Sequence, residues 1–241
     1  LKLIKFPVLV TNKENTKCIF FMIFSMAGFA IEDAIIKKLS DTLPLSQVLI
    51  SIGFAGLLVF FILSLITKTS LISSQILRFS FFFRMLCELV SSILFVFTIV
   101  FVSLSVSSAI LQITPIFVVL GGIFFFKQKV FFHHWLLIFV GFFGVLMIVQ
   151  PGMKTFNPLA LMAIIGALFL AFRDLATRSM SNSIPAITIA FWGFFSLTIG
   201  GFFCLPIFEP LQPFTLSHSF LIILSSFFGP LAYLTLVFAT R

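Results

Sequence analysis

The chain has 241 residues, 61% of them hydrophobic and 9% charged, with a formal net charge of +8. Charged residues make up about a quarter of an ordinary soluble domain, so this composition excludes a globular domain and indicates a polytopic membrane protein. The basic excess does not suggest a nucleic-acid partner, because it is spread over the ends of apolar runs.

Residues 1–17 are polar and lysine-bearing, an expected cytoplasmic N-terminal segment without the small-residue cleavage pattern of a signal peptide. Hydropathy then predicts eight spans: Cys18–Ile36, Leu45–Thr67, Met85–Ser105, Ser107–Phe126, His133–Gln150, Pro158–Thr177, Pro185–Ile207 and Ser217–Thr240. Each is close to the ~20 residues that, at about 1.5 Å apiece, cross a hydrocarbon core of about 30 Å. The connections are short. The longest, 67–84, is marked as polar by Lys68, Arg78 and Arg84. Within Ser107–Gly152 two apolar runs are split by Lys127-Gln128-Lys129 and closed by Pro151-Gly152. The predicted fold class is all-α, a polytopic transmembrane helix bundle.

Basic residues set the expected orientation. With the N-terminus in the cytoplasm, Lys2, Lys5, Lys13, Lys17, Lys68, Arg78, Arg84, Lys127, Lys129, Arg173, Arg178 and Arg241 fall at inner ends. Lys37, Lys38 and Lys154 fall outside, twelve against three. Cys18, Cys87 and Cys204 are far apart in apolar runs and read as small buried hydrophobes, not as a metal site or disulfides.

The chain also repeats itself. At a constant offset of 141, Asp33 pairs with Asp174, Lys37 with Arg178 and Pro44 with Pro185, and FVFTIV at 95–100 lies over LVFATR at 236–241. The period covers five spans, an odd number, so the two halves must run through the bilayer in opposite orientations. Inverted repeats of this kind are the construction of secondary transporters that work by alternating access. The offset predicts a complete five-helix unit over 18–150 and an incomplete one, three of five helices, over 158–241. On that reading eight spans are present of an expected ten, and two more would follow Arg241.

TPIFVVLGGIFFFKQK at 114–129 and WLLIFVGFFGVLMIVQPG at 135–152 resemble the fourth and fifth helices of the EamA-type drug/metabolite transporter superfamily. The shared pattern is an early proline, a short charged turn, G-x-x-G-V-x-x-I and a terminal Pro-Gly. Phe83-Arg84-Met85 with LFVFTIVF at 94–101 is similar to the third helix, and FRDLATRSM at 172–180 to the inner end of the sixth. At the turn this chain has Phe126-Lys127 where the family commonly has Gly-Glu, so no acidic role carries over. The resemblance implies ten helices in two EamA repeats. It also implies a permease of the bacterial inner membrane, with small metabolites, amino acids or drug-like compounds as substrates and export as the expected direction.

Charges inside spans are costly and are candidates for function. Glu32 and Asp33 near the outer end of the first span read either as an interfacial cluster with Lys37 and Lys38 or as an outer gate; position favours the former. Arg173 and Asp174 are their counterparts in the second half, with Arg178 four residues on from Asp174 and available for a helix-surface pair; such pairing leads, with a cytoplasmic gate second. Glu88 follows Arg84 by four residues; an intrahelical pair is the favoured reading, and Glu88 is also the leading candidate for a proton-linked site. Gln112 and Thr114 precede Pro115, which removes a backbone donor and marks either a cavity-lining break or a packed kink. Trp192 and Tyr233 lie mid-span and read as bundle packing or as surfaces stacked on substrate. His133 and His134 beside Trp135 read as a headgroup-level anchor and His218 as isolated. Gly121, Gly122, Gly141 and Gly144 read as close helix–helix contacts.

The expected partners are the lipid bilayer, a small-molecule substrate and protons coupled through Glu32, Asp33, Glu88 or Asp174. A homodimer stays open, and no cofactor or metal is expected. A passive channel or structural membrane protein is the alternative. An intramembrane enzyme ranks lower, because neither H-E-x-x-H nor G-x-S-x-G occurs.

Overall fold

The computed structural model describes residues 12–72, 76, 78–127, 132–149, 157–180, 184–207 and 210–240. Residues 1–11, Lys129, the Pro151-Gly152 stop, Lys154 and Arg241 lie outside the described residues, as do the side chains of His133 and His134. The described residues hold no strand. They form α1 (Asn12–Ser40), α2 (Leu45–Thr67), α3 (Phe79–Phe101), α4 (Leu104–Leu111), α5 (Thr114–Phe126), α6 (Phe132–Val149), α7 (Leu161–Ser179), α8 (Ala186–Cys204) and α9 (Leu216–Thr240). A 3-10 turn, Pro158–Ala160, leads into α7. Seven helical segments among the described residues are long and apolar enough to cross a membrane, with α4 and α5 together forming one of them. The protein is a polytopic helical bundle.

Two boundaries move. α1 begins at Asn12, inside the segment expected to precede the first span. α3 begins at Phe79, six residues before the predicted Met85, so Arg84 lies within the helix instead of in a polar link. The FSFFF run at 79–83 continues the apolar helix, and the partners of Arg84 described below keep its charge from ending it.

Three antiparallel pairs make the centre: α2 with α8, α3 with α7 and α1 with α9. The α2–α8 contact depends on glycine. A Cβ on Gly201 would stand 2.7 Å from the Ile50 backbone nitrogen and 2.9 Å from the Ser46 carbonyl, and one on Gly53 would stand 2.7 Å from the Thr198 nitrogen. Backbones approach this closely only where the side chain is hydrogen, and the close approach gives the dispersion contact that joins helices in lipid. Of the glycines expected at close contacts, Gly121 meets Leu175, whereas a Cβ on Gly141 meets only Ile116 Cδ1 at 3.8 Å and one on Gly144 meets nothing within 4 Å. The packing faces therefore lie on α2 and α8 and not on this part of α6.

Contacts recur at the offset of 141. Pro44 and Pro185 both stand in extended conformation immediately before a helix, at ψ 152° and ψ 147°. Ser25 Oγ donates to the Ala232 carbonyl (2.9 Å) across α1–α9. The corresponding residues, Gly166 and Ser91, meet across α7–α3, where the Ser91 carbonyl is 3.7 Å from a Cβ placed on Gly166.

Candidate functional site

α3, α7 and α9 meet around a buried carboxylate. Glu88 lies one helical turn beyond Arg84, so both side chains leave the same face of α3. Glu88 Oε2 accepts from Arg84 Nη2 (3.2 Å) and from the Tyr233 hydroxyl of α9 (2.6 Å), while Oε1 accepts from Arg173 Nη1 of α7 (3.1 Å). Arg84 also donates to the Tyr233 oxygen and, through Nε, to Thr177 Oγ1 (3.0 Å). Thr177 in turn donates to the Arg173 carbonyl (2.8 Å). Arg173 sends Nε and Nη2 to Asp174 Oδ1 at 2.9 and 2.7 Å. Two guanidinium groups and two carboxylates therefore balance in charge. Desolvating such groups costs several kcal/mol each, so the cluster persists in a bilayer only because its ions are neutralised and hydrogen-bonded together. All ion pairs among the described residues belong to it.

Through Glu88, Arg173, Asp174 and Tyr233 the cluster lines a cavity of about 960 Å³. Glu32 and Asp33 of α1 line it too, with Gln112, Thr114 and Pro115 in another wall. There the fourth span is interrupted between α4 and α5: Pro115 has no N–H to give the Leu111 carbonyl, and the chain passes through tight bonds from Gln112 N to Ala109 O (3.1 Å) and Ile113 N to Ile110 O (3.0 Å). The Thr114 hydroxyl faces this region buried and without a hydrogen-bond partner.

The structure brings together Glu32, Asp33, Glu88, Gln112, Thr114, Pro115, Arg173, Asp174, Arg178 and Tyr233 as cavity-lining residues, with Arg84 behind Glu88. Trp192 is not among them. Its indole nitrogen donates to the Leu71 carbonyl (3.0 Å), and its ring packs edge-on against Phe81, Phe191 and Phe195. Lys37 does not pair with Glu32: its ammonium caps the end of α3 through the carbonyls of Ile99 (2.9 Å) and Val100 (3.4 Å). Asp174 is engaged by Arg173, and Arg178 lines the cavity. His218 is not isolated. Its Nδ1 accepts from Thr215 N (3.2 Å), its own N–H donates to Thr215 Oγ1 (3.3 Å), and Nε2 lies 2.8 Å from Thr42 Oγ1. Cys87 and Cys204 are buried as expected, whereas Cys18 is partly exposed; all are free thiols. Thr177, which accepts from Arg84, and Ser105 and Ser108 in the lining are not among the residues the sequence singles out. A signal existed for the two serines, in the polar stretch SLSVSS at 103–108 opening an apolar span.

Glu32 occupies a different environment from Glu88. It is only 7% exposed and lies against Gly229, where any side chain would overlap its carboxylate. The buried Ser225 hydroxyl faces it without completing a hydrogen bond. Among the described residues no cation stands within ion-pair distance of Glu32 or Asp33.

No curated protein matches the chain. Residues 16–150, more than half of its length, match the EamA-like transporter family. With its apolar spanning helices, the chain belongs to that family, as a multi-span membrane protein of the transporter type.

Proposed function

We propose that the protein is a secondary transporter that moves a small metabolite, amino acid or drug-like compound by alternating access, in the direction of export. One observation carries the reading: residues 141 apart in sequence line the same cavity in pairs. Glu32 and Arg173, Asp33 and Asp174, Phe29 and Leu170, Ile52 and Gly193, Ser92 and Tyr233, and Phe95 and Leu236 are such pairs. Two antiparallel copies of one unit, 18–150 and 158–241, would give this lining, and rocking one against the other would open it to each side in turn. The Arg84–Glu88–Arg173–Tyr233 cluster then acts as the inner closure, since separating α3, α7 and α9 requires parting it. Proton coupling on this reading belongs to Glu32 and Asp33, whose carboxylates are free of ion pairs among the described residues.

On this reading the N-terminus lies in the cytoplasm. Arg84 and Arg173 are buried inside the bundle, and without them the basic residues still divide ten to three. The expected site is the bacterial inner membrane.

The test is counterflow in proteoliposomes containing the full chain. Saturable uptake of labelled substrate, driven by unlabelled substrate trapped inside, is expected. Flux that rises linearly with concentration would put a passive channel in place of the carrier.

A further inference from the structure

We propose that the ligand of this cavity is an organic monocation with an aromatic or branched apolar body. The inference rests on the transporter reading for its physiological meaning but concerns binding, which is measured separately.

Charge decides the class. The inner cluster is internally balanced, with Arg84 and Arg173 against Glu88 and Asp174. Glu32 and Asp33 then remain on the wall, with no cation within ion-pair distance among the described residues. Lys37, the nearest lysine along the helix, is committed to the carbonyls at the end of α3. Corresponding positions in the two halves make the contrast direct. Arg173 meets Glu88, but the counterpart of Arg173 is Glu32 and the counterpart of Glu88 is Gly229. Thus one half has an internal cation, and the other leaves a buried carboxylate on the cavity wall with no cation within ion-pair distance among the described residues.

An anion would add to this unbalanced charge. A zwitterion needs a free cation for its own carboxylate, and the described residues of the lining do not offer one ready. Arg173 is shared by Glu88 and Asp174, and Arg84 by Glu88, Tyr233 and Thr177. Arg178, the remaining cationic residue of the lining, has an interaction of its own. A cation instead supplies what Glu32 lacks, and the rings of Phe29, Phe95, Phe194 and Tyr233 in the same lining favour a positive head and an apolar body. Independently of the carboxylates, the Thr114 hydroxyl is buried without a hydrogen-bond partner in the same cavity and is available as an orienting group. The volume, about 960 Å³, suits a small molecule and not a peptide.

The test uses three probes with similar bodies and different heads: phenethyltrimethylammonium, phenylalanine and phenethylsulfonate. Equilibrium binding to the purified full chain in detergent is expected for the quaternary ammonium, and about tenfold or more weaker for the other two. Glu32→Gln should weaken cation binding about tenfold or more, and Glu32→Asp should recover part of it. Phe139→Leu, on the exposed side of α6, should leave it unchanged. Size-exclusion profiles establish that each variant is folded. Equal or tighter binding of the zwitterion or the anion overturns the proposal. So does the absence of binding by all three, or a folded Glu32→Gln protein with unaltered affinity. Cation binding without saturable counterflow would instead overturn the transporter reading and leave this one intact, whereas saturable counterflow of phenylalanine or the sulfonate in preference to the cation would do the reverse.

Discussion

Arg173 reaches Glu88 at 3.1 Å across the α3–α7 contact, joining two residues 85 apart in sequence into one buried ion pair. Because Arg84 and Tyr233 bind the same carboxylate, Glu88 connects three helices and is the residue whose loss leaves most charge uncompensated.

Glu88→Gln is therefore expected to destabilise the folded bundle by about 3 kcal/mol, since it removes the carboxylate partner of buried Arg84 and one of the two held by Arg173. Arg173 retains Asp174, which holds the loss near the lower end of the range. The measurement is the midpoint of denaturant-induced unfolding in mixed micelles. A double-mutant cycle between Glu88 and Arg173 should give a coupling above about 1 kcal/mol, and one between Glu32 and Lys37 a coupling near zero. Comparable coupling in the two cycles would contradict the arrangement of Lys37 on the α3 carbonyls.

Gly201 and Gly144 make a matched pair of substitutions. A methyl group at Gly201 meets the Ile50 nitrogen and the Ser46 carbonyl, backbone atoms of α2 that cannot swing aside, so Gly201→Ala should cost about 1–3 kcal/mol as an overpacked contact. Gly144→Ala meets nothing within 4 Å and removes a poor helix former, so stability should be unchanged or higher by about 1 kcal/mol. Thermal unfolding in detergent distinguishes them. Equal effects would show that the α2–α8 approach does not limit stability.

Much of this architecture is legible in the sequence because hydropathy is local. A run of apolar residues must be helical in lipid whatever surrounds it, and the eight expected spans each have a helical counterpart, although α6, at the fifth, is not among the seven segments of the described residues long and apolar enough to cross. The i+4 spacing of Arg84 and Glu88 puts them on one face, and they do pair. Lys37 is five residues beyond Glu32, about 140° around the helix at ~3.6 residues per turn, so the two side chains diverge. Tyr233 joins Glu88 from the far end of the chain, and no local pattern signals such a tertiary contact. Trp192 and Gly144 were open to misreading for a related reason. In an apolar span every face has similar composition, so sequence does not tell lipid from neighbour from cavity.

The start of α9 is a capping box in which histidine takes the place usually filled by Glu or Gln. Thr215 accepts from the His218 N–H, and His218 Nδ1 accepts from the Thr215 N–H, which leaves the proton on Nε2 to donate to Thr42. His218→Ala should cost about 1 kcal/mol by exposing an uncapped backbone donor and releasing α9 from the end of α1. His218→Gln, whose amide oxygen can accept from the same N–H, should recover part of it. Unfolding midpoints of the two variants check this. An equal loss in both would mean that the Thr42 contact, and not the cap, carries the effect.

Single cysteines report which side chains the cavity makes accessible. In a background with Cys18, Cys87 and Cys204 replaced by alanine, Gln112→Cys and Ser108→Cys should react with a charged, membrane-impermeant thiol reagent, because both line the cavity beside the α4–α5 break. Trp192→Cys should react about tenfold or more slowly, its position being packed among Phe81, Phe191 and Phe195, since modification requires an exposed thiolate. If the cluster is the closure proposed above, Glu88→Gln should raise labelling of Ser108→Cys from the cytoplasmic face, which inside-out vesicles expose, because α3, α7 and α9 then part more readily around the cavity. Labelling from that face that does not change would mean that the Arg84–Glu88–Arg173 cluster supports the fold without closing a path, and alternating access would need another gate.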